Sequence, residues 1–215
     1  MNVLLDNLGL FGQGFLGTIK LFVAAAVGSL IGGTVLAGMR VSPVPILRSF
    51  GAAYVNTVRN TPLTLVLLLF AFAYPRLEIA DLSFFTRACL GLIVYTSAFV
   101  CEVVRSGINT VPVGQAEASR ALGFTFNQTL SSIVLPQAVR AVVPPLTNIE
   151  IALLKNTTIA AGFSVVEAGG IYSTLSDRGY SVLVGLLWVA FGFLILVIPL
   201  TLLQRRLDQR WSAAR

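Results

Sequence analysis

Apolar residues run along this chain in long blocks separated by short polar clusters, a pattern that predicts membrane-crossing helices. The first block, about Leu16 to Met39, is long enough for a hydrocarbon core of roughly 30 Å. Ahead of it, MNVLLDNLGLFGQGFLG carries Asp6 and no Lys or Arg before Lys20, which lacks the basic start of a secretory signal and reads as an interfacial lead-in. Gly28 and Gly32 are spaced for close helix packing, or reflect only the tolerance of Gly in membrane helices. The run Leu63 to Ala73 is too short to cross alone, so the second span is expected to reach back through Ala52 and Tyr54, with Arg59-Asn60-Thr61-Pro62 inside it or at the membrane edge. The third span is about Ala88 to Val104. A polar, helix-forming insert follows, from Gln115 to Pro145. Beyond it lies a weak fourth span, LTNIEIALLKNTTIAAGF, and then the clearest one, Val182 to Leu203.

Composition points to the same class. Hydrophobic residues make up 56% and charged residues 11% of 215 residues, with mean hydropathy +0.85, against about 25% charged in an ordinary soluble domain. A pI near 9.9 suggests nucleic acid at first sight, but the basic residues are scattered between apolar spans, as positive-inside topology requires. Cys89 and Cys101 share one helix about 18 Å apart and cannot bridge each other, and a chain without His offers no metal cluster. Glu102 and Arg105, three residues apart, are expected to pair at the end of the third span.

The polar insert carries the most specific signal. Glu117 to Leu122 suits a short helix, Gly123 can take the left-handed conformation that ends it, and Thr125 with Gln128 fits a capping box that starts another. Phe126, Leu130, Ile133 and Leu135 then supply an apolar stripe until Pro136 is expected to interrupt it. Glu117-Ala118-Ser119, Gly123, Ile133 and Leu135-Pro136 stand at the intervals of the EAA loop of bacterial ABC importer permeases, a pattern too extended to recur by chance. The chain resembles the type I permease subunits of the polar amino-acid uptake family, nearest to glutamate-type permeases. Arg59-Asn60-Thr61-Pro62, EVVRSG from Glu102 to Gly107, GQAEASRALG and Leu154-Lys155-Asn156-Thr157-Thr158 carry that resemblance further.

The resemblance implies one permease domain over residues 1–215, with a coupling loop at about 115–145. It implies that Glu117, Ala118, Ser119, Gly123, Phe126, Ile133, Leu135 and Pro136 form the contact with two copies of a separate ATPase. A second homologous permease, or a second copy of this chain, and an extracytoplasmic amino-acid-binding protein complete the assembly in a bacterial cytoplasmic membrane. No Walker A sequence occurs, so the chain is expected to be a transport subunit rather than an enzyme, with no cofactor of its own and ATP-Mg bound by the partner. Ionisable and polar residues at membrane depth are functional candidates by default: Arg59, Asn60, Thr61, Glu150, Lys155, Asn156, Thr157 and Thr158 are the candidate substrate path. The competing reading has Arg59 snorkelling to the cytoplasmic surface and Lys155 fastening a helix end. Glu150 departs from the neutral residue of glutamate permeases.

Orientation follows from the basic residues. Arg40, Arg48, Arg105, Arg120, Arg140, Arg205, Arg206, Arg210 and Arg215 fall on one side, against Arg76, Arg87 and Arg178 on the other, with Glu167 and Asp177 also assigned to the latter. The expected architecture is an all-α integral membrane protein of five transmembrane helices, N-terminus outside, C-terminus inside, and the EAA loop cytoplasmic. A permease for basic or neutral amino acids is the alternative. A non-transporting membrane scaffold would explain the polar loop but not Arg59, Glu150 and Lys155 at membrane depth.

Overall fold

The computed structural model describes residues 3–212; Arg215, counted above among the C-terminal cations, lies outside them. All regular elements among the described residues are helical. A short α1 (Val3–Asp6) leads into α2 (Leu8–Val41), α3 (Pro45–Arg59), α4 (Leu63–Leu68), α5 (Phe84–Asn109), α6 (Val113–Ala121), α7 (Phe126–Thr129), α8 (Leu135–Asn156), α9 (Ile171–Asp177) and α10 (Val182–Ser212). Helices α2, α5 and α10 are each long and apolar enough to cross a membrane. The number reaches five if each of two bent pairs, Pro45–Arg59 with Leu63–Leu77 and Phe126–Phe163 with Ala168–Asp177, is one crossing.

Helices α2 and α5 form the spine, and glycine lets them touch. A Cβ on Gly28 would meet Ile93, one on Gly32 the Ser97 hydroxyl, and one on Gly33 Val100, so the spaced glycines of α2 are used for packing inside this chain. Those contacts advance together along both helices, which therefore run parallel. Helix α10 runs the same way, since Phe11 clusters with Val189 and the Phe15 ring lies 5.7 Å from that of Phe193. Helices α4 and α8 run opposite to α5: Leu67 lies against Gly91 while Arg87 donates to the Ala71 carbonyl, and Val142 lies against Gly107 while Leu153 clusters with Cys89 and Leu92.

Several expectations change on folding. The lead-in is continuous with the first long helix, which begins at Leu8. The second span is not straight: α3 and the helix beginning at Leu63 meet at 103°, because Pro62 breaks the ladder and Asn60 and Thr61 form the corner. Pro136 does not interrupt the stripe. A π-turn over Leu130–Val134 widens the backbone just ahead of it, so Pro136 falls in the first turn of α8, where a missing N–H costs little. Helix α8 then passes through Pro144 and Pro145, so the region 115–145 is part turn and part long helix. Glu167, assigned by charge only to a side of the membrane, is packed inside the protein on that side: it is 2% exposed and accepts a bond from the Thr18 hydroxyl at 3.1 Å, while Thr18 in turn accepts from the Ala168 N–H at 3.0 Å.

Gly17 permits that docking. A Cβ there would strike the Val166 carbonyl, which belongs to backbone and cannot swing away. Gly17→Ala is expected to destabilise the fold by about 1–3 kcal/mol, the usual range for overpacking. Gly12→Ala, where no atom lies within 4 Å of the added Cβ, serves as the control. Thermal unfolding of the two variants in detergent checks this; equal midpoints would show that the segment around Glu167 yields freely.

Candidate functional site

The polar insert folds into a helix, a glycine turn and a second helix. Helix α6 ends in a Schellman arrangement: the Gly123 N–H bonds the Arg120 carbonyl at 2.9 Å and the Phe124 N–H bonds the Ser119 carbonyl at 3.1 Å, with Gly123 at φ +89°. The capping box is complete, Thr125 Oγ1 accepting from the Gln128 N–H while the Gln128 side chain accepts from the Thr125 N–H. Ser119 is buried and shares a 2.8 Å hydrogen bond with the Thr129 hydroxyl, which locks α6 onto α7. It therefore shapes the device from within rather than presenting itself at the surface.

Apolar side chains stand exposed around that turn: Leu122 at 80%, Val113 at 72% and Phe126 at 64%. Glu117 and Ala118 are exposed beside them, Leu135 and Pro136 are exposed beyond the π-turn, and Ile133 is half-buried. Glu117 is the fifth residue of α6, so it offers charge and not an N-cap. A rigid turn with apolar faces and a carboxylate, held on short bonded helices, is suited to fit a groove in another protein.

A second constellation lies where α2, α3 and α5 end. Glu102, the single carboxylate of α5, takes Arg105 at 2.8 Å and Arg40 on its other oxygen, with Arg59 at 3.6 Å. The Arg105 pair was legible as an i, i+3 spacing. Arg40 and Arg59 were not, since they reach Glu102 only because α2 and α5 run parallel and α3 turns back. The usable signal was charge complementarity, one carboxylate among cations at successive helix ends. Arg59 also lies over the Phe99 ring at 5.6 Å. It is 44% exposed, beside the corner and not within a straight span.

The polar run of α8 is arranged differently from what its composition suggests. Thr157 is buried and donates to the Leu154 carbonyl, Thr158 donates to the Lys155 carbonyl, and at the corner Asn60 and Thr61 donate to the Asn56 and Thr57 carbonyls, all at 2.7–2.8 Å. These groups retain acceptor capacity only, apart from the second N–H of Asn60. Lys155 is exposed and forms no ion pair among the described residues, and Asn156 is half-buried. Both oxygens of Glu150 are shielded and without a hydrogen-bond partner among the described residues. The corner and the polar run approach through their apolar neighbours, Leu63 and Leu67 sharing a core cluster with Leu153 and Ala160. No hydrogen bond or ion pair joins the polar groups of the corner to those of the α8 run among the described residues.

Against known proteins, residues 11–213 match the family described as "Binding-protein-dependent transport system inner membrane component". The chain is 49% identical over 210 residues to the glutamate transport system permease protein GluC of Corynebacterium efficiens, covering 92% of each chain. It is 35% identical to the probable glutamine ABC transporter permease protein GlnM of Bacillus subtilis, covering 98% of this chain and 99% of that one. A crystal structure of an amino acid ABC transporter with histidines superposes with a TM-score of 0.89 at 25% identity, covering 96% of both chains.

Proposed function

The chain belongs to the family of binding-protein-dependent transport system inner membrane components, and from that premise we propose that it is the permease subunit of an ATP-driven glutamate importer. The observation that carries the cargo assignment is the 49% identity to a glutamate transport permease across 92% of both chains. Five crossings follow if each bent pair spans the membrane once, and the alternating helix directions support that reading. With the basic ends of α2 and α5 and the α6–α7 turn inside, the N-terminus lies outside and the C-terminus inside. Residues 1–215 then form one permease domain. Its exposed turn, with Glu117, Ala118, Gly123, Phe126, Leu135 and Pro136, docks on one of two ATPase copies that bind ATP-Mg. Ser119 and Ile133 brace it. A homologous permease pairs with this chain, and a binding protein delivers the amino acid from outside.

In this reading Lys155 and Arg59 meet carboxylates of the cargo, Glu150 meets its ammonium, and Asn60, Thr61, Asn156, Thr157 and Thr158 line the path with polar groups. An amino acid crossing a low-dielectric region needs partners for both of its charges. Glu150, shielded and unpaired, favours a second reading in which the cargo is a basic or neutral amino acid.

Reconstituting the chain with its ATPase, permease partner and binding protein in proteoliposomes tests both. Glutamate is expected to stimulate ATP hydrolysis; stimulation by arginine or glutamine and not by glutamate would favour the second reading. Lys155→Met is expected to raise the substrate concentration for half-maximal transport about tenfold or more, the worth of one charge-assisted hydrogen bond, with basal hydrolysis unchanged. If basal and stimulated hydrolysis fall together at unchanged substrate dependence, Lys155 is structural.

A further inference from the structure

Lys20 stands on the exposed side of α2 without a carboxylate partner among the described residues, where the ion pairs all converge on Glu102. Its depth can be read from the helix itself. Twenty residues separate Lys20 from Arg40, about 30 Å of α-helix, which equals the thickness of a hydrocarbon core. Arg40 joins the cluster at the end of α5, and Lys20 lies level with the start of α5, beside Phe85, itself two residues after the Ser83 N-cap. The two cations thus mark opposite boundaries of one apolar slab. A lysine at such a boundary keeps its stem on apolar surface and its ammonium at the depth of phospholipid phosphates.

The surface around it is a shallow depression between α2 and the start of α5. Ile19, Lys20, Val23 and Ala24 of α2 and Phe85 of α5 line a shallow, open recess of about 530 Å³ whose surface is almost wholly apolar. Below it, Ile19, Val23, Val27, Ile31 and Val35 repeat every four residues as one exposed row, 41–62% accessible and about 24 Å long. A row of branched aliphatic side chains beneath one cation fits an amphiphile with an anionic head and an extended hydrocarbon tail.

We infer that this recess is a binding site for an anionic phospholipid of the outer leaflet, its phosphate on Lys20 and an acyl chain along the α2 row. The leaflet follows from the proposed orientation; the site itself depends only on charge, depth and shape. A phosphodiester complements Lys20, the one cation lining the recess, whereas a zwitterionic headgroup brings its own cation to the same place.

Native mass spectrometry of the assembled transporter in detergent tests this, with phosphatidylglycerol and phosphatidylcholine of matched acyl chains added in equal amounts. The unmodified protein is expected to retain the anionic lipid about fivefold over the zwitterionic one, the preference that one lysine gives at an anionic surface. Lys20→Met should bring the ratio to about one, Lys20→Arg should keep it, and Lys20→Glu should push it below one. A ratio near one in the unmodified protein, or an undiminished ratio in Lys20→Met, overturns the site. A photo-crosslinking residue at Val23 provides a readout independent of those substitutions: lipid adducts support the recess as a lipid site, and adducts to a protein subunit overturn it by showing that a protein covers the row.

Discussion

Gly123→Val is expected to abolish ATPase-driven uptake while the protein still inserts and assembles. The reason is conformational, not steric. No atom lies within 4 Å of a Cβ added at Gly123, so nothing is displaced, but φ of +89° is a region that a β-branched residue avoids. An L-residue held in the left-handed region loses about 1–2 kcal/mol, and branching at Cβ adds to that. The chain escapes by rotating out of it, which breaks the bonds from Gly123 to Arg120 and from Phe124 to Ser119 and swings α7 away from α6. Leu122 and Phe126, on either side of the turn, then no longer present one surface. Gly123→Asn is the informative companion, because Asn tolerates positive φ and should restore most of the uptake. Uptake at the normal rate in Gly123→Val, with the complex intact, would show that the turn does not couple hydrolysis to transport.

The second large effect is expected at Glu102. Removing one partner of a buried ion pair costs about 3–5 kcal/mol because the other charge is left uncompensated. Glu102 is 20% and Arg40 15% exposed, so water screens part of this and about 2 kcal/mol is the expected loss for Glu102→Gln. The half-exposed Arg59 contributes least, being 3.6 Å away and 44% accessible. Glu102 nevertheless joins the end of α2, the corner after α3 and the last turns of α5, from which the chain enters α6. Loosening it should lower the thermal midpoint of the purified complex and reduce the stimulation of hydrolysis by substrate in the same variant. A double-mutant cycle with Arg40→Gln isolates the pair: a coupling below about 0.5 kcal/mol would mean that the two residues act independently and the hub is only apparent.

Much of the α6–α7 device was legible because its determinants are local. The capping box lies within four residues, and the Schellman turn depends on one glycine after a short helix, so tertiary context had little to alter. The membrane class and the length of the apolar blocks were legible for a related reason. A bilayer sets a minimum apolar length, and composition alone reports whether a chain meets it. The family resemblance rested on the same local features and is carried by the match over residues 11–213.

Prolines show where local reading stops. Pro62 breaks its helix outright, with the chain turning 103°, while Pro136, Pro144 and Pro145 are accommodated in or beside a long helix. The ring and the missing N–H are the same in each. What differs is the surroundings: a π-turn widens the backbone ahead of Pro136, and α8 is packed against α5 on both sides of its paired prolines, through Val142 on Gly107 and through Leu153 with Cys89 and Leu92. Glu167 is similar. Its burial could not be read locally, because it depends on Gly17 leaving room for the Val166 carbonyl and on a hydroxyl from Thr18, on a helix about 150 residues away in sequence.

The sequence by itself determined the bilayer as the solvent, the local turn between α6 and α7, the inability of Cys89 and Cys101 to bridge, and the Glu102–Arg105 pair, because each depends on composition or on residues within a few turns of one helix. Only the tertiary structure decided that α2 and α5 run parallel on a glycine seam, that Glu102 gathers Arg40 and Arg59, that Arg59 sits at a corner, and that both Glu150 oxygens are shielded without a partner among the described residues. Those facts depend on which helix faces are buried against one another, and an apolar block written for lipid carries almost no amphipathic record of that choice.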